Sequence, residues 1–297
     1  MNETWREKYQ TLLFNRNVSL NRVNNYVNKH VPKYLYKYRK FDQYWETTLF
    51  DGQLYFAEAI TLNDPFDCHT FIDVKRYSEF MNTFASKYVF PEIEYDKICE
   101  VYNSRMENNL KRQCLKIKQG FLLTCFSEDV KSILMWSHYA DSHKGFCIEY
   151  DMEKVSQMYR DFLYPVIYQD QCYDFTEMAI MLDDSYYRAM KALEILNVNT
   201  EYCLKDVTNN IYVPLLIKAK EWSYEKEWRI VVPKTFFGLN DHLIDLSNAI
   251  SGVYIGANSG ITNNIDKIIK WAKNRNIIIY KMETEMDRYG LSAKNIS

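Results

Sequence analysis

The stretch from Gly120 to Asp151 reads GFLLTCFSEDVKSILMWSHYADSHKGFCIEYD and decides the fold. It opens and closes with apolar runs of strand length, at 121–126 and 145–148. Between them lies a segment rich in hydroxyl, imidazole, carboxylate and aromatic groups, at 136–144. Two buried strands would hold both ends of this segment on a rigid scaffold, so a functional site is predicted here. The alternative is a helix-containing connection whose Trp and Tyr only pack.

The composition limits the classes of protein that the chain can represent. The chain has 297 residues, of which 47% are hydrophobic, so one large domain or two small ones can bury a substantial core. The formal net charge is −2, from 37 basic and 39 acidic residues. The chain has no global basic field, so nucleic acid is expected to bind only through a local basic patch.

Cysteine usage and hydropathy predict the compartment. The 7 cysteines are scattered without a CxxC pair, and the sequence shows no signal peptide. We therefore expect a cytoplasmic protein with reduced thiols. The longest apolar runs are far shorter than a membrane span, so no membrane partner is expected.

Apolar and alternating runs predict six further strands, and periodic segments between them predict helices. The strands are expected at 34–40, 54–56, 165–168, 228–232, 252–255 and 277–282, and the helices at 2–29, 75–118, 155–162, 175–220 and 265–273. The helical region 75–118 is expected to break at Pro91. The predicted fold class is α+β, with a mixed, largely antiparallel sheet and helical insertions in a single domain.

Three segments are predicted along the chain. Residues 1–33 form an N-terminal helical segment, which packs on the domain or on a second copy in a homo-oligomer. Residues 34–283 form the single α+β domain, with a helical insertion at about 75–118. Residues 284–297 form a loose polar tail.

The segment NDPFD (63–67) and the histidines offer little for metal binding. Asn63 and Asp64 precede a proline, which predicts a loop whose carboxylates accept backbone N–H bonds. His138 and His143 are five residues apart, not at the i, i+4 spacing of a helical zinc pair. Adjacent Ser137 and His138 would point apart, which argues against their use as nucleophile and base. No metal is expected.

The motifs together resemble a known bacterial family. They are LYKYR, GQLYFAEAITLNDPFDC, CFSED, MWSHYADSHKGFCIEYD and W-x-Y-E-x-E-W-R-I, spread over about residues 34–257. This set resembles the family catalogued as domain of unknown function 2971. The resemblance implies an accessory role in bacteria, in phage defence or abortive infection, and implies no particular reaction.

A second resemblance is to enzymes and toxins that transfer ADP-ribose from NAD. Their pattern is an Arg in a first strand, a Ser-Thr-Ser strand and an E-x-E loop that enters a strand. Arg39, the TCFS block from Thr124 to Ser127, and Glu225 with Glu227 are similar in that order. The second block differs from Ser-Thr-Ser, and the pattern does not require MWSHYAD.

This resemblance implies a set of site residues. Glu227, the acid nearest the strand, would stabilise the ribose cation that develops as nicotinamide leaves, and Glu225 would orient or deprotonate the acceptor. The predicted catalytic residues are Glu227, Glu225 and Ser127. The predicted NAD-binding residues are Tyr36, Arg39, Thr124, Trp136, His138 and Tyr139.

Two other functions remain open alongside this NAD-using effector, whose acceptor the sequence does not identify. The first is a metal-dependent nuclease built on Asp64, Asp67, Glu149 and a lysine. The second is a non-catalytic sensor or partner-binding module. If one site exists, NDPFD, CFSED, MWSHYAD and EKEWR are expected to meet in a single concave pocket.

Overall fold

A computed structural model describes most of the chain. The described residues are 3–15, 17–88, 112, 115–181, 212–237, 242–260 and 262–297. The chain divides into two compact units. The first unit comprises 1–23, 58–121 and 169–219, and the second comprises 24–57, 122–168 and 220–297.

Helices and strands alternate along the described chain. The helices are α1 (Trp5–Phe14), α2 (Leu20–Val27), α3 (Trp45–Phe50), α4 (Val74–Tyr88), α5 (Ile133–Tyr139), α6 (Gln157–Arg160) and α7 (Asn263–Arg275). The strands are β1 (Tyr34–Arg39), β2 (Gln53–Tyr55), β3 (Ala57–Glu58), β4 (Thr70–Phe71), β5 (Phe121–Ser127), β6 (Phe146–Asp151), β7 (Leu163–Pro165), β8 (Ile167–Gln169), β9 (Tyr173–Asp174), β10 (Ile217–Ala219), β11 (Glu227–Pro233), β12 (Leu243–Asp245), β13 (Ile250–Ile255), β14 (Ile278–Thr284) and β15 (Leu291–Asn295).

The main sheet runs through the second unit. Its strands pair in the order β15-β14-β13-β6-β1-β5-β11-β7, and β3 adds to β5. The pair β13–β14 is parallel, whereas β14–β15, β13–β6, β6–β1, β1–β5 and β11–β7 are antiparallel. The predicted α+β class with a mixed, largely antiparallel sheet is therefore confirmed.

The register of β1 against β6 determines which side chains share a face. The two strands pair over six consecutive residues, with Tyr36 opposite Glu149 and Tyr38 opposite Cys147. Because side chains alternate along a strand, Tyr36, Tyr38, Cys147 and Glu149 lie on one face of the sheet. We call this face the tyrosine face.

Helix α5 covers part of the tyrosine face through Trp136. This side chain is 0% exposed, and its ring meets that of Tyr38 edge-on at 5.2 Å between centroids. Its indole Nε1 donates to the Val130 carbonyl at 2.7 Å, so the one polar atom of the ring is satisfied. The inward packing that we expect for Trp136 is confirmed.

A tight connection returns the chain from α5 to β6. Asp141, Ser142 and His143 all have positive φ, at 47°, 54° and 66°. The backbone N–H groups of Ser142 and His143 bond to carbonyls in α5, and that of Gly145 bonds to the Ala140 carbonyl at 2.8 Å. These bonds stabilise three successive left-handed residues that are not glycine.

In the first unit, the NDPFD loop has the predicted local cap. Asp64 Oδ1 accepts the backbone N–H of Phe66 at 2.9 Å. Asp67 is buried and forms an ion pair with Lys218, with 3.4 Å between Oδ2 and Nζ. The prediction that carboxylates of this loop accept backbone N–H bonds is confirmed for Asp64.

Three sequence predictions require correction. The N-terminal segment contains two helices rather than one, because α1 ends at Phe14 and α2 begins at Leu20. The tail is not loose throughout, because 291–295 pairs with β14 as strand β15 and buries Leu291. The stretch 213–219, predicted as helix, forms a short 3₁₀ turn followed by β10.

Parts of the predicted helical regions 75–118 and 175–220 lie outside the described residues. The helical insertion begins as predicted with α4, but its break at Pro91 lies outside the described residues, as does 182–211. Among the helices that the structure describes, none is long and apolar enough to cross a membrane.

Gly145 offers a test of the connection between α5 and β6. A Cβ atom at this position would lie 2.2 Å from the Arg39 carbonyl oxygen, which is backbone and cannot rotate away. We expect Gly145→Ala to destabilise the protein by about 1–3 kcal/mol in chemical denaturation. Gly120→Ala is the matched control, because a Cβ there meets nothing within 4 Å. Equal stability of both variants would contradict the packing described.

Candidate functional site

Three of the four motifs meet in the second unit. Ser127 Oγ of CFSED donates to the Glu225 carbonyl at 2.6 Å. The Tyr139 hydroxyl of MWSHYAD donates to Glu225 Oε1 at 2.6 Å. Lys226 Nζ lies 2.9 Å from Asp129 Oδ2. CFSED, MWSHYAD and EKEWR therefore converge, while NDPFD belongs to the first unit and its place in a shared pocket stays a prediction.

Glu227 is held in a buried ion pair. Its Oε1 accepts from Arg229 Nε at 2.8 Å, and its Oε2 accepts from Arg229 Nη2 at 3.0 Å. Glu227 is 4% exposed and Arg229 is 0% exposed. A guanidinium without solvent requires a matched carboxylate. This geometry gives Glu227 a structural role, and its predicted catalytic role stays a prediction.

Glu225 is as buried as Glu227, with 3% of its surface exposed, but it contacts other motifs. It ends the 3₁₀ turn Lys220–Glu225, and Lys226 then turns the chain into β11 with φ at 44°. The Glu225 carboxylate contacts the partly exposed Tyr139, and its carbonyl contacts Ser127. Glu225 therefore contacts both CFSED and MWSHYAD.

Glu149 is the carboxylate of the tyrosine face. Its Oε2 accepts from the Tyr254 hydroxyl, and its Oε1 accepts from Ser251 Oγ, each at 2.8 Å. Tyr36 stands opposite it on β1, and Gly252 stands opposite it on β13. A hydrophobic core next to it contains the buried Tyr254. Four partly buried tyrosines pack against this core, namely Tyr36, Tyr139, Tyr224 and Tyr280.

The charge of Glu149 reaches three of these tyrosines. Burial raises the pKa of Tyr36 most, and the negative charge of Glu149 and a hydrogen bond to it raise this pKa further. Burial and then the same carboxylate raise the pKa of Tyr254. Burial and the charge of Glu149 also raise the pKa of Tyr280. These three hydroxyls therefore stay protonated, and those of Tyr36 and Tyr254 donate to the carboxylate.

Arg39 and Thr124 do not share the tyrosine face. Tyr36 pairs directly with Ser127, whereas Arg39 and Thr124 each lie three residues away along their strands and so point to the opposite face. Arg39 lies 3.5 Å from Asp42, and its Nε has no hydrogen-bond partner. Their predicted roles in binding NAD stay predictions, and they do not involve the tyrosine face.

Two other predicted NAD-binding residues differ in access. Trp136 is fully buried, so its ring stabilises the core and offers no surface to a ligand. His138 is exposed, with its ring centroid 6.2 Å from that of Tyr224.

The imidazole that contacts Ser137 is that of His143, with 3.1 Å between Nε2 and Oγ. Burial lowers the pKa of His143.

The sequence predictions missed several residues of the tyrosine face. Glu149 entered only as a nuclease candidate, and Ser251, Tyr254 and Tyr280 were not assigned. A serine and glycine inside a strand, at Ser251-Gly252, are the only local signal of a site there. No local pattern shows that they pair with β6, about 100 residues earlier in the chain.

In the described parts of the chain, no group of three or more His, Cys, Asp or Glu could hold a metal ion. The acids of the nuclease alternative are engaged elsewhere, because Asp67 pairs with Lys218 and Glu149 accepts from Ser251 and Tyr254.

One family model matches a stretch of the chain that contains two of these motifs. A family described as "Protein of unknown function (DUF2971)" has a model that matches residues 135–230. This stretch resembles the DUF2971 family. The predicted resemblance is thus confirmed over a shorter range than 34–257, and the DUF2971 stretch contains both MWSHYAD and EKEWR. Searches of curated proteins and of solved structures gave no match.

Lys37 is a partly buried base on the opposite face of β1. Its Nζ donates to Thr124 Oγ1 and to the Cys125 carbonyl, each at 2.9 Å. Burial lowers the pKa of Lys37 from 10.5 to about 8. The folded chain therefore releases this proton at a lower pH than the unfolded chain does.

The ion pair of Glu227 and Arg229 predicts a loss of stability. Glu227→Gln removes the negative charge that accepts two hydrogen bonds from the buried Arg229 guanidinium, and breaking a buried ion pair in this way typically costs about 3 kcal/mol or more. We expect that loss in the free energy of unfolding measured with urea. Glu283→Gln is the control, because Glu283 is exposed and lies 3.7 Å from Lys294. A Glu227→Gln protein as stable as this control would show that the pair is dispensable.

Lys37 predicts a pH dependence of stability. Because its pKa is lower in the folded chain, the unfolded chain binds more protons between pH about 8 and 10.5, and stability rises with pH across that window. The stability of wild type relative to Lys37→Met is therefore expected to increase by about 1–2 kcal/mol from pH about 7.5 to 9.5. Lys267→Met, which removes an exposed lysine, is the matched control. A constant difference for Lys37→Met would refute the assignment.

Proposed function

We propose that the chain cleaves the nicotinamide–ribose bond of NAD, as an ADP-ribosyltransferase-like or NAD-hydrolysing effector. The observation that carries this proposal is the meeting of Ser127 on strand β5, Tyr139 on helix α5 and Glu225 at the end of the 3₁₀ turn that precedes β11. The DUF2971 resemblance supports a bacterial accessory or phage-defence context. We propose this context together with the reaction.

The chemistry requires a carboxylate beside the ribose. As the bond to nicotinamide breaks, positive charge develops on the ribose ring, and a carboxylate held nearby lowers the energy of that state. Glu225 meets this requirement better than Glu227. Both carboxylate oxygens of Glu227 accept from Arg229, whereas the carboxylate of Glu225 accepts from Tyr139, at the point where CFSED and MWSHYAD meet.

Two positioning residues hold Glu225. Ser127 Oγ donates to its carbonyl and so ties the backbone of the E-x-E turn to β5. The Tyr139 hydroxyl donates to its carboxylate and so holds the position of that group. A preorganised carboxylate stabilises a developing charge without a cost of reorientation during the reaction.

Tyr36 supplies an aromatic surface next to these residues. It pairs directly with Ser127 across β1 and β5, and it is partly exposed. Aromatic rings of this kind stack on planar heterocycles such as nicotinamide and adenine. We propose that the nicotinamide ribosyl group of NAD lies between Tyr36 and Glu225.

The proposal predicts the effect of one substitution. Glu225→Gln keeps the volume of the side chain and removes its charge, so nicotinamide release from NAD should fall by about a hundredfold or more. The readout is nicotinamide measured by chromatography after incubation with NAD. Tyr139→Phe removes one hydrogen bond to Glu225 and should reduce the rate by about tenfold.

Glu283→Gln, an exposed acid of the same unit, is the matched control and should retain the wild-type rate. Circular dichroism and melting temperature would establish that each variant is folded. A folded Glu225→Gln protein with the wild-type rate would refute the role of Glu225. Wild-type protein that leaves NAD intact in the presence of a bacterial lysate would refute the reaction itself.

A further inference from the structure

Glu149 has hydrogen bonds but no counter-ion. Its two oxygens accept from Ser251 and Tyr254 at 2.8 Å, and Tyr36 adds a further hydroxyl contact. Among the residues that the structure describes, no basic side chain forms an ion pair with it. A partly buried carboxylate surrounded by neutral hydroxyls produces a negative potential that only a cation can match.

The surrounding rings add to this potential. Tyr254 and Tyr280 stack with their centroids 4.6 Å apart and their planes 14° from parallel. Tyr36 meets Tyr254 nearly edge-on, at 5.9 Å and 80°. Aromatic faces attract cations through their quadrupoles, and planar cations also stack on them. Tyr36 and Tyr280 are partly exposed, so their rings are accessible from solvent.

Gly252 leaves room beside the carboxylate. It stands directly opposite Glu149 in the sheet, and a Cβ atom there would lie 3.2 Å from Glu149 Oε1. Any larger side chain at this position would project next to the carboxylate. Glu149, its partner Tyr36 and the next partner Ser127 form a row across β6, β1 and β5. The carboxylate therefore lies two strands from the residue that holds Glu225.

We infer that Glu149, Tyr36, Tyr254 and Tyr280 form a binding site for a planar organic cation, the positively charged pyridinium ring of oxidised NAD. The identity of the ligand rests on the proposed function, whereas the preference for a cation rests on the carboxylate and its rings. The dihydronicotinamide ring of NADH carries no charge and loses this attraction. The site therefore selects oxidised over reduced cofactor.

The test compares two ligands that differ by one charge. The probe is 1-methylnicotinamide, a pyridinium cation, and its neutral counterpart is nicotinamide. Titration calorimetry or NMR on the intact chain should show that the cation binds at least about tenfold more tightly, as the loss of a partly desolvated charge contact predicts. Glu149→Gln should abolish this preference, and the control Glu283→Gln should retain it.

A second variant and a second assay keep the outcomes separate. Tyr280→Leu removes one ring without touching the carboxylate and should reduce the preference for the cation severalfold. Equal binding of both probes, or a preference that survives Glu149→Gln in a folded protein, would overturn the inference even if NAD is cleaved. A charge preference that depends on Glu149 in a protein that leaves NAD intact would support the cation site and reject the proposed reaction.

Discussion

The buried ion pair between Glu227 and Arg229 is the constraint on which the site depends. A guanidinium with no exposed surface is tolerated only beside a carboxylate, so the two residues must share one face of β11 at i, i+2 spacing. Lys226, between the two acids, adopts a left-handed conformation, so Glu225 does not continue the regular alternation of strand β11. The two acids of one E-x-E motif consequently have separate tasks. Glu227 stabilises the sheet, and Glu225 meets the hydroxyls of Ser127 and Tyr139.

The pairing of β1 with β6 places the remaining groups. Six consecutive residue pairs determine that Tyr36 faces Glu149, and a shift of one residue would move both to the opposite side of the sheet. Strand β13 on the far side of β6 brings Ser251 and Tyr254 to the same carboxylate. The tyrosine face is therefore assembled from strands that are distant in the chain, and its chemistry depends on backbone register.

Local patterns in the sequence predicted much of the sheet and less of the site. The apolar runs at 121–126 and 145–148, and the motif EKEWR, correspond to β5, β6 and β11 because strand propensity is a local property. Pairing order is not local, so the partners of Glu149 on β13 were not predicted. Strand β15 was predicted as a loose tail because its sequence is mostly polar and contains a single buried leucine, Leu291.

Both ends of the main sheet carry residues that discourage the addition of further strands. Strand β7 ends with Pro165, which has no N–H to offer to a neighbour, and the short strand β15 carries Lys294, with 67% of its side chain exposed. A lysine on an edge must lose hydration before another β-strand can dock beside it. Growth of fibrils by edge-to-edge stacking of copies is thereby disfavoured at both ends.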